Sequence, residues 1–123
     1  MRPAGMRQFV TFFFRPRGRI GRTEYFLGAA FIHAVNLAIV SFALNHPEIE
    51  SIGIALLWSI ALPSLAGVLV VMAKRCHDIG LPGSFVLLAI VPGVGILWEI
   101  ALVFIPGSAG PNRYGTVPLL GPD

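Results

Sequence analysis

Charged residues divide this chain into long apolar blocks. Asp, Glu, Lys and Arg are absent from residues 25–47, 51–73 and 79–98. An α-helix rises about 1.5 Å per residue, so about 20 apolar residues cross the roughly 30 Å of hydrocarbon in a bilayer. Residues 25–45 and 52–73 are therefore predicted to form two complete transmembrane helices.

A third apolar stretch, residues 85–105, is long enough to cross but is interrupted. Pro92 and Gly93 break it near its middle, and Glu99 lies in its second half. Each Leu, Ile, Phe or Val favours insertion by about 0.5 kcal/mol, whereas one ionised acid costs about 3 kcal/mol, so Glu99 alone does not prevent insertion. A central proline with glycines adds a further cost in a regular helix. A kinked span and a hairpin of two half-length arms are therefore left as alternatives.

Ahead of the first span, residues 6–14 combine phenylalanines with polar side chains. This segment is too short to span a bilayer, so we predict an amphipathic segment that lies in the interface with its phenylalanines inserted. The whole pattern predicts an all-α, polytopic membrane protein. We divide it into a basic interfacial segment (residues 1–24), a single transmembrane domain (residues 25–115) and a flexible tail (residues 116–123).

Basic residues indicate the orientation of the spans. Six arginines precede the first span, at Arg2, Arg7, Arg15, Arg17, Arg19 and Arg22. The next loop carries Glu48 and Glu50, and the loop after the second span returns Lys74 and Arg75. The positive-inside rule therefore predicts a cytoplasmic N-terminus, while the side of the C-terminus depends on the third stretch. A cleaved signal peptide is the main alternative, but the first apolar run exceeds the usual signal core of roughly 7 to 15 residues.

Composition supports a membrane protein. The 123 residues are 55% hydrophobic and 12% charged, with a mean hydropathy of +0.79, whereas soluble domains carry roughly 25% charged residues. These values disfavour both a soluble domain and a disordered chain. The single cysteine, Cys76, excludes an internal disulfide and a multi-cysteine zinc site. We predict no metal, no cofactor and no nucleic-acid partner, because attraction to an anionic membrane surface accounts for the arginines.

Three polar side chains interrupt the apolar stretches. His33 and Asn36 lie three residues apart in the first span, and Glu99 lies in the third stretch. Hydrocarbon offers no hydrogen bonds, so a contact of Glu99 with His33 or Asn36 is predicted. A structural contact is favoured over a proton or ion relay. Small residues follow one stripe of the first span, at Ala30, Ala34 and Ala38, and this stripe is expected to serve helix packing.

Three polar motifs border the apolar blocks. They read Gly-Arg-Ile-Gly-Arg-Thr-Glu-Tyr at residues 18–25, Lys-Arg-Cys-His-Asp-Ile-Gly at residues 74–80, and Pro-Gly-Ser-Ala-Gly-Pro-Asn-Arg-Tyr-Gly at residues 106–115. In the order and spacing of these motifs the chain resembles the YhaH-like family of small bacterial inner-membrane proteins, a domain of unknown function. The resemblance implies a multi-pass protein of the bacterial inner membrane and supplies no activity, substrate or catalytic residue. Residues 81–84, Leu-Pro-Gly-Ser, depart from the aromatic residues expected there.

Charged side chains of the first two motifs form the candidate site. We hypothesise one cytoplasmic-face cluster that recognises anionic lipid headgroups or a partner protein, consisting of Arg19, Arg22, Lys74 and Arg75. A structural ion-pair cluster is expected among Glu24, Arg75, His77 and Asp78. A protein partner or a homo-oligomer is left open.

Two other functions are considered. One is a small oligomeric transporter or channel. The other is a membrane-embedded enzyme that acts on a lipid or phosphate group, with His77 and Asp78 as an acid/base pair. The sequence contains no nucleophile motif and no metal-ligand spacing, so we do not expect an enzyme.

Overall fold

Four α-helices and two 3-10 helices form the part of the chain that the computed structural model describes, residues 4–116 and 118. The α-helices are α1 (Ala4–Phe14), α2 (Arg22–Asn45), α3 (Glu50–Asp78) and α4 (Val94–Phe104). The 3-10 helix Pro47–Ile49 joins α2 to α3, and the 3-10 helix Gly83–Ile90 precedes α4. The first residues of the predicted basic segment (1–3) and most of the predicted tail (117 and 119–123) lie outside the described residues.

The two long helices confirm the predicted spans. α2 and α3 pack against each other and are joined by a short turn, so they run antiparallel. Both are long and apolar enough to cross a membrane. Within the most apolar 18-residue stretch of each helix, however, only 17% of α2 and 11% of α3 is buried. Such widely exposed apolar surface suits hydrocarbon, because the core helix of a soluble protein buries its apolar side chains.

Both helices extend further into the polar motifs than the apolar pattern predicted. α2 begins at Arg22 instead of residue 25, and α3 continues to Asp78 instead of ending at residue 73. The apolar pattern ended each span at the first charged residue. A charged side chain can belong to a terminal helical turn when it is exposed, as Arg22 is, or satisfied inside the protein, as Arg75 and Asp78 are. The first two motifs therefore supply helix ends as well as loops.

A glycine closes α3. Gly80 adopts a φ of +84°, a left-handed conformation that favours glycine. Leu81 N–H donates to Cys76 O at 2.8 Å, and Gly80 N–H donates to His77 O at 3.1 Å. This pair of bonds is a Schellman motif, which satisfies the last carbonyls of the helix and turns the chain sharply.

The third apolar stretch forms a hairpin and not a kinked span. Its first arm is the 3-10 helix Gly83–Ile90, and its second arm is α4. At about 2.0 Å per residue for the first arm and about 1.5 Å for the second, each arm is roughly 16 Å long, about half of the hydrocarbon thickness. The turn between them contains Gly93 at a φ of +78°.

Contacts at both ends of the hairpin establish its direction. At the tip, a Cβ on Gly95 would lie 2.4 Å from Ala89 O, so only glycine lets the two arms approach this closely. At the base, Arg75 of α3 donates to Leu102 O and Ile105 O where α4 ends. The hairpin therefore enters and leaves at the end of the bundle where α3 stops. We call this the polar end.

Most of the buried core lies near the polar end. The fully buried apolar side chains come from the segment that leads into α2, the first turn of α2, the last part of α3, and α4. They include Ile20, Tyr25, Val71, Met72 and Leu102. The outer halves of α2 and α3 instead expose large apolar side chains. The part of the fold that packs like a soluble core is thus the part that carries the motifs.

α1 lies across α2 and α3 with one apolar face inward. The buried Phe13 ring is 5.9 Å from Phe31 of α2, and Phe9 meets the same ring edge-on at 6.4 Å. Met6 and Phe14 of α1 remain exposed. This arrangement agrees with the predicted interfacial helix, whose outward apolar side chains suit acyl chains.

Candidate functional site

The three sequence motifs meet at the polar end around the carboxylate of Asp78. Arg19 Nε lies 2.9 Å from Asp78 Oδ1, and Arg75 Nη1 donates to Asp78 Oδ2. All three side chains are at least 98% buried. We call this group, Arg19, Arg75 and Asp78 with the loop of residues 106–116, the motif cluster. A carboxylate shared by two guanidinium groups satisfies charges that would be costly to bury alone.

Arg75 joins three parts of the fold. Its Nε donates to Leu102 O at 2.9 Å, and its Nη2 donates to Ile105 O. Its Nη1 also reaches Ile20 O at 3.4 Å, just before α2. A cation suits the carbonyl end of a helix because the helix dipole is negative there. Arg75 therefore caps α4 and ties it to α3 and to the segment that leads into α2.

Arg19 holds the third motif in place. Its Nη1 donates to Gly110 O at 2.7 Å and its Nη2 donates to Ser108 O at 2.8 Å. Longer bonds of 3.3 Å reach two further carbonyls, those of Gly115 and Thr116. The loop of residues 106–116 thus folds around one guanidinium group, with backbone oxygens as its acceptors.

Gly107 explains why the loop can approach the carboxylate. A Cβ at this position would lie 2.1 Å from Asp78 Oδ2, far inside contact distance. The neighbouring Ser108 N–H donates to Asp78 O at 2.8 Å. Gly107 belongs to the third motif, but the motif pattern alone predicts no role for it.

His77 connects the first and third motifs but does not belong to the ion pairs around Asp78. Its Nδ1 lies 3.1 Å from Gly18 O, and its ring stacks on Tyr114 at 4.0 Å and 10°. Asn112 Nδ2 donates to His77 O at 2.9 Å. The prediction that His77 joins the ion-pair cluster is therefore wrong. Adjacent helical residues project about 100° apart, so His77 and Asp78 face different neighbours.

Glu24 and Lys74 hold other segments. Glu24 is buried at the start of α2, where its Oε2 accepts a hydrogen bond from Gly21 N–H at 2.7 Å. An acid in this position also suits the positive end of the helix dipole. Lys74 Nζ donates to Thr11 O at 2.6 Å and Phe12 O at 2.9 Å, which are carbonyls at the end of α1.

The hypothesis that four cations form one binding face needs correction. Only 3%, 3% and 0% of the surface areas of Arg19, Lys74 and Arg75 are exposed to solvent. All three side chains donate hydrogen bonds to oxygens inside the protein. They are unavailable to a headgroup because a buried cation must be satisfied within the protein. Of the four, only Arg22 has an exposed side chain.

Other arginines surround the buried cluster on the outside. We call them, together with Arg22, the arginine face; its members are Arg15, Arg17, Arg22 and Arg113, all exposed. The two acids of the described chain at this end, Glu24 and Asp78, are buried. Among the described residues, the exposed charged side chains at this end are therefore positive.

The polar side chains of the spans form two contacts. His33 Nε2 lies 2.6 Å from Glu99 Oε1, which links α2 to α4. Asn36 is engaged elsewhere: its Nδ2 donates to Ile32 O at 2.9 Å, and its Oδ1 accepts from Ser64 Oγ at 3.0 Å. Of the two partners expected for Glu99, the structure brings His33 to it.

No group of three or more His, Cys, Asp or Glu side chains within residues 4–116 and 118 is arranged to hold a metal ion. The thiol of Cys76 is buried in the core between α3 and its neighbours. In the described residues, the polar end is thus held together by hydrogen bonds from charged side chains to a carboxylate and to backbone carbonyls.

Comparisons with known proteins cover nearly all of this structure. A family model described as "Protein of unknown function (DUF805)" matches residues 13–116, from α1 to the end of the motif cluster. The chain is similar to "Inner membrane protein YhaI" of Escherichia coli K12 and of Escherichia coli O157:H7. Each is 33% identical over 106 residues, covering 85% of this chain and 86% of the relative. No solved structure matches significantly.

The match confirms the resemblance to a family of small bacterial inner-membrane proteins, although the relatives carry the name YhaI where the motifs suggested YhaH. All three motifs and all four α-helices fall within or overlap the matched residues. The chain is an integral inner-membrane protein that belongs to the DUF805 family.

Proposed function

We propose that the protein is a membrane-embedded binding module that holds anionic phospholipid headgroups against the arginine face. The observation that carries this proposal is the separation of charges at the polar end. Arg15, Arg17, Arg22 and Arg113 are exposed, while Glu24 and Asp78 are buried. A binding role was expected from the motifs, but the residues now proposed to perform it are largely different.

The motif cluster supports this role by fixing the arginine face. Arg19 binds the loop that carries Arg113, and His77 binds the segment that carries Arg17. Both exposed arginines therefore project from backbone that is held by partly buried hydrogen bonds. Planar guanidinium groups match the oxygens of a phosphate, and a fixed backbone lowers the entropy lost on binding.

The proposed orientation places this face in the cytoplasmic leaflet. Loops rich in Arg and Lys remain in the cytoplasm, and each cation near an anionic leaflet contributes about 1 kcal/mol before screening. We propose an N-terminus inside, two crossings and a hairpin that enters from inside. This topology brings the first and third motifs to the same leaflet, which agrees with their contacts in the fold.

Lipid retention tests the proposal. The protein is reconstituted with equal amounts of phosphatidylglycerol and phosphatidylcholine, extracted in mild detergent, and its bound lipids are counted by native mass spectrometry. The variant that combines Arg15→Gln, Arg17→Gln and Arg113→Gln should lose its preference for phosphatidylglycerol by about tenfold, after allowance for screening of the three charges. Arg22 is left unchanged because it begins α2.

Two controls separate charge from damage to the fold. Lysine at the same three positions should retain most of the preference, because the charge is kept. Gln at His46 and Glu48, in the loop at the opposite end, should have no effect. Equal retention of both lipids by the unsubstituted protein would contradict the proposal, as would an unchanged preference in the triple glutamine variant.

We propose no catalytic role. An enzyme that uses His77 and Asp78 as an acid/base pair requires the two side chains to act together. The His77 ring instead contacts Gly18 O and Tyr114, and the Asp78 carboxylate binds Arg19 and Arg75. The geometry therefore favours a binding module.

A further inference from the structure

A polar pair lies on the lipid-facing surface near the middle of the bundle. His33 is half-way along α2, about 16 Å from Arg22 at about 1.5 Å per residue, which places it near the middle of a bilayer of roughly 30 Å. Its partner is Glu99 of α4, whose Oε1 lies 2.6 Å from His33 Nε2. The two side chains are nevertheless 56% and 29% exposed.

Each member of the pair retains hydrogen-bonding capacity. The contact uses His33 Nε2 and Glu99 Oε1; within residues 4–116 and 118 no further hydrogen bond to either side chain is found. An imidazole has a second nitrogen, and a carboxyl group has a second oxygen. Acyl chains cannot bond these atoms, and unmet polar groups are costly in hydrocarbon. A single copy in lipid therefore leaves this patch incompletely satisfied.

We propose that a second copy of this chain covers the patch, so that the protein forms a two-fold symmetric dimer within the membrane. The patch presents a donor and an acceptor side by side, so it is complementary to itself when a two-fold axis runs along the membrane normal. His33 of each copy then lies opposite Glu99 of the other copy. Closed two-fold dimers are the commonest symmetric assemblies.

The surface around the pair permits close approach. Ala30 and Ala34 are exposed on the side of α2 that carries His33, about 60° and 100° around the helix from it. Small side chains let two helix backbones come near each other, which strengthens packing and shortens hydrogen bonds across the interface. The stripe of small residues was expected to serve helix packing, and we assign Ala30 and Ala34 to the interface between copies. Ala38 lies farther around α2, on the side of Phe42. This inference does not depend on the arginine face.

Cysteine crosslinking distinguishes the interface from other surfaces of the same helix. Leu37, 71% exposed, is one turn from His33 on the same side of α2, whereas Phe42, 51% exposed, is nine residues away, about 180° around the helix. In a chain with Cys76→Ala, Leu37→Cys should give a covalent dimer when native membranes are oxidised. Phe42→Cys should give little or none.

Substitution of the pair tests its role. His33→Leu should reduce the dimer formed by Leu37→Cys by about tenfold at low expression, because symmetry removes two interhelical contacts together. Glu99→Gln should leave it nearly unchanged, because the amide still donates and accepts. If His33→Leu does not fold, the comparison of Leu37→Cys with Phe42→Cys still decides the interface.

Four results would overturn the proposal. They are equal crosslinking at the two positions, no crosslinking at Leu37→Cys, crosslinking of Leu37→Cys to a different protein, and a yield unaffected by a well-folded His33→Leu variant.

Discussion

At the scale of residues, Asp78 determines whether two buried cations are tolerated. Its two carboxylate oxygens accept hydrogen bonds from Arg19 and Arg75. Further donors of both arginines go to backbone carbonyls, which carry only partial charge. Asp78 is thus the full negative charge that hydrogen-bonds both guanidinium groups.

Removal of this charge should destabilise the protein strongly. Asp78→Asn keeps the size of the side chain but leaves two buried guanidinium groups without their shared anion, a loss of about 3 kcal/mol or more. The thermal midpoint in detergent should fall, and the yield of folded protein should drop. Arg113→Gln, which changes an exposed charge of the same end, should leave the midpoint almost unchanged. Equal midpoints for Asp78→Asn and the unsubstituted protein would contradict this account.

At the scale of elements, Lys74 couples the interfacial helix to the bundle. Its ammonium group binds two carbonyls at the end of α1, and its chain passes the Phe12 ring, 5.5 Å from Nζ to the ring centroid. A lysine predicted to face headgroups instead caps a neighbouring helix, where a cation suits the negative end of the dipole.

Lys74→Met should loosen α1 while the rest of the fold remains intact. Methionine keeps an apolar chain of similar length but deletes charge-assisted hydrogen bonds, each of which contributes about 2 kcal/mol. Hydrogen–deuterium exchange of residues 4–14 should become at least about tenfold faster, with little change in α2 and α3. Arg7→Gln on exposed α1 surface is the matched control and should not alter exchange. A uniform increase across all helices would indicate general unfolding instead.

At the scale of the whole molecule, the hairpin returns the third motif to the polar end. The third motif binds Arg19 and Asp78, which precede α2 and end α3. A kinked crossing would carry the third motif to the opposite side and break these contacts. With the proposed orientation, the loop at residues 106–116 is cytoplasmic.

Labelling of single cysteines tests this topology. In a chain with Cys76→Ala, an impermeant maleimide applied to intact cells should label Glu48→Cys, while Arg17→Cys and Arg113→Cys should react only after permeabilisation. The hairpin is contradicted if Arg113→Cys is labelled from outside while Arg17→Cys is protected. The orientation is contradicted if Arg17→Cys is labelled and Glu48→Cys is not.

Much of the fold could be predicted from the local sequence pattern. The spans were predictable because insertion energies act over short segments. The family resemblance followed from the order and spacing of the three motifs. The candidate site was less predictable. The motifs identified Arg19, Arg75 and Asp78 as important, but they did not show that both arginines point inward. The role of Gly107 depends on its closeness to Asp78, which no local pattern reveals.

The sequence by itself determined where the chain enters the membrane, since the free energy of insertion is close to a sum over consecutive side chains. Only the tertiary structure decided which cations are buried and that residues 83–104 fold back as a hairpin. The acceptors of the terminal Arg19 nitrogens, Nη1 and Nη2, are backbone oxygens about ninety positions away in the chain. Backbone groups are the same at every residue, so their use as partners leaves no mark in the sequence.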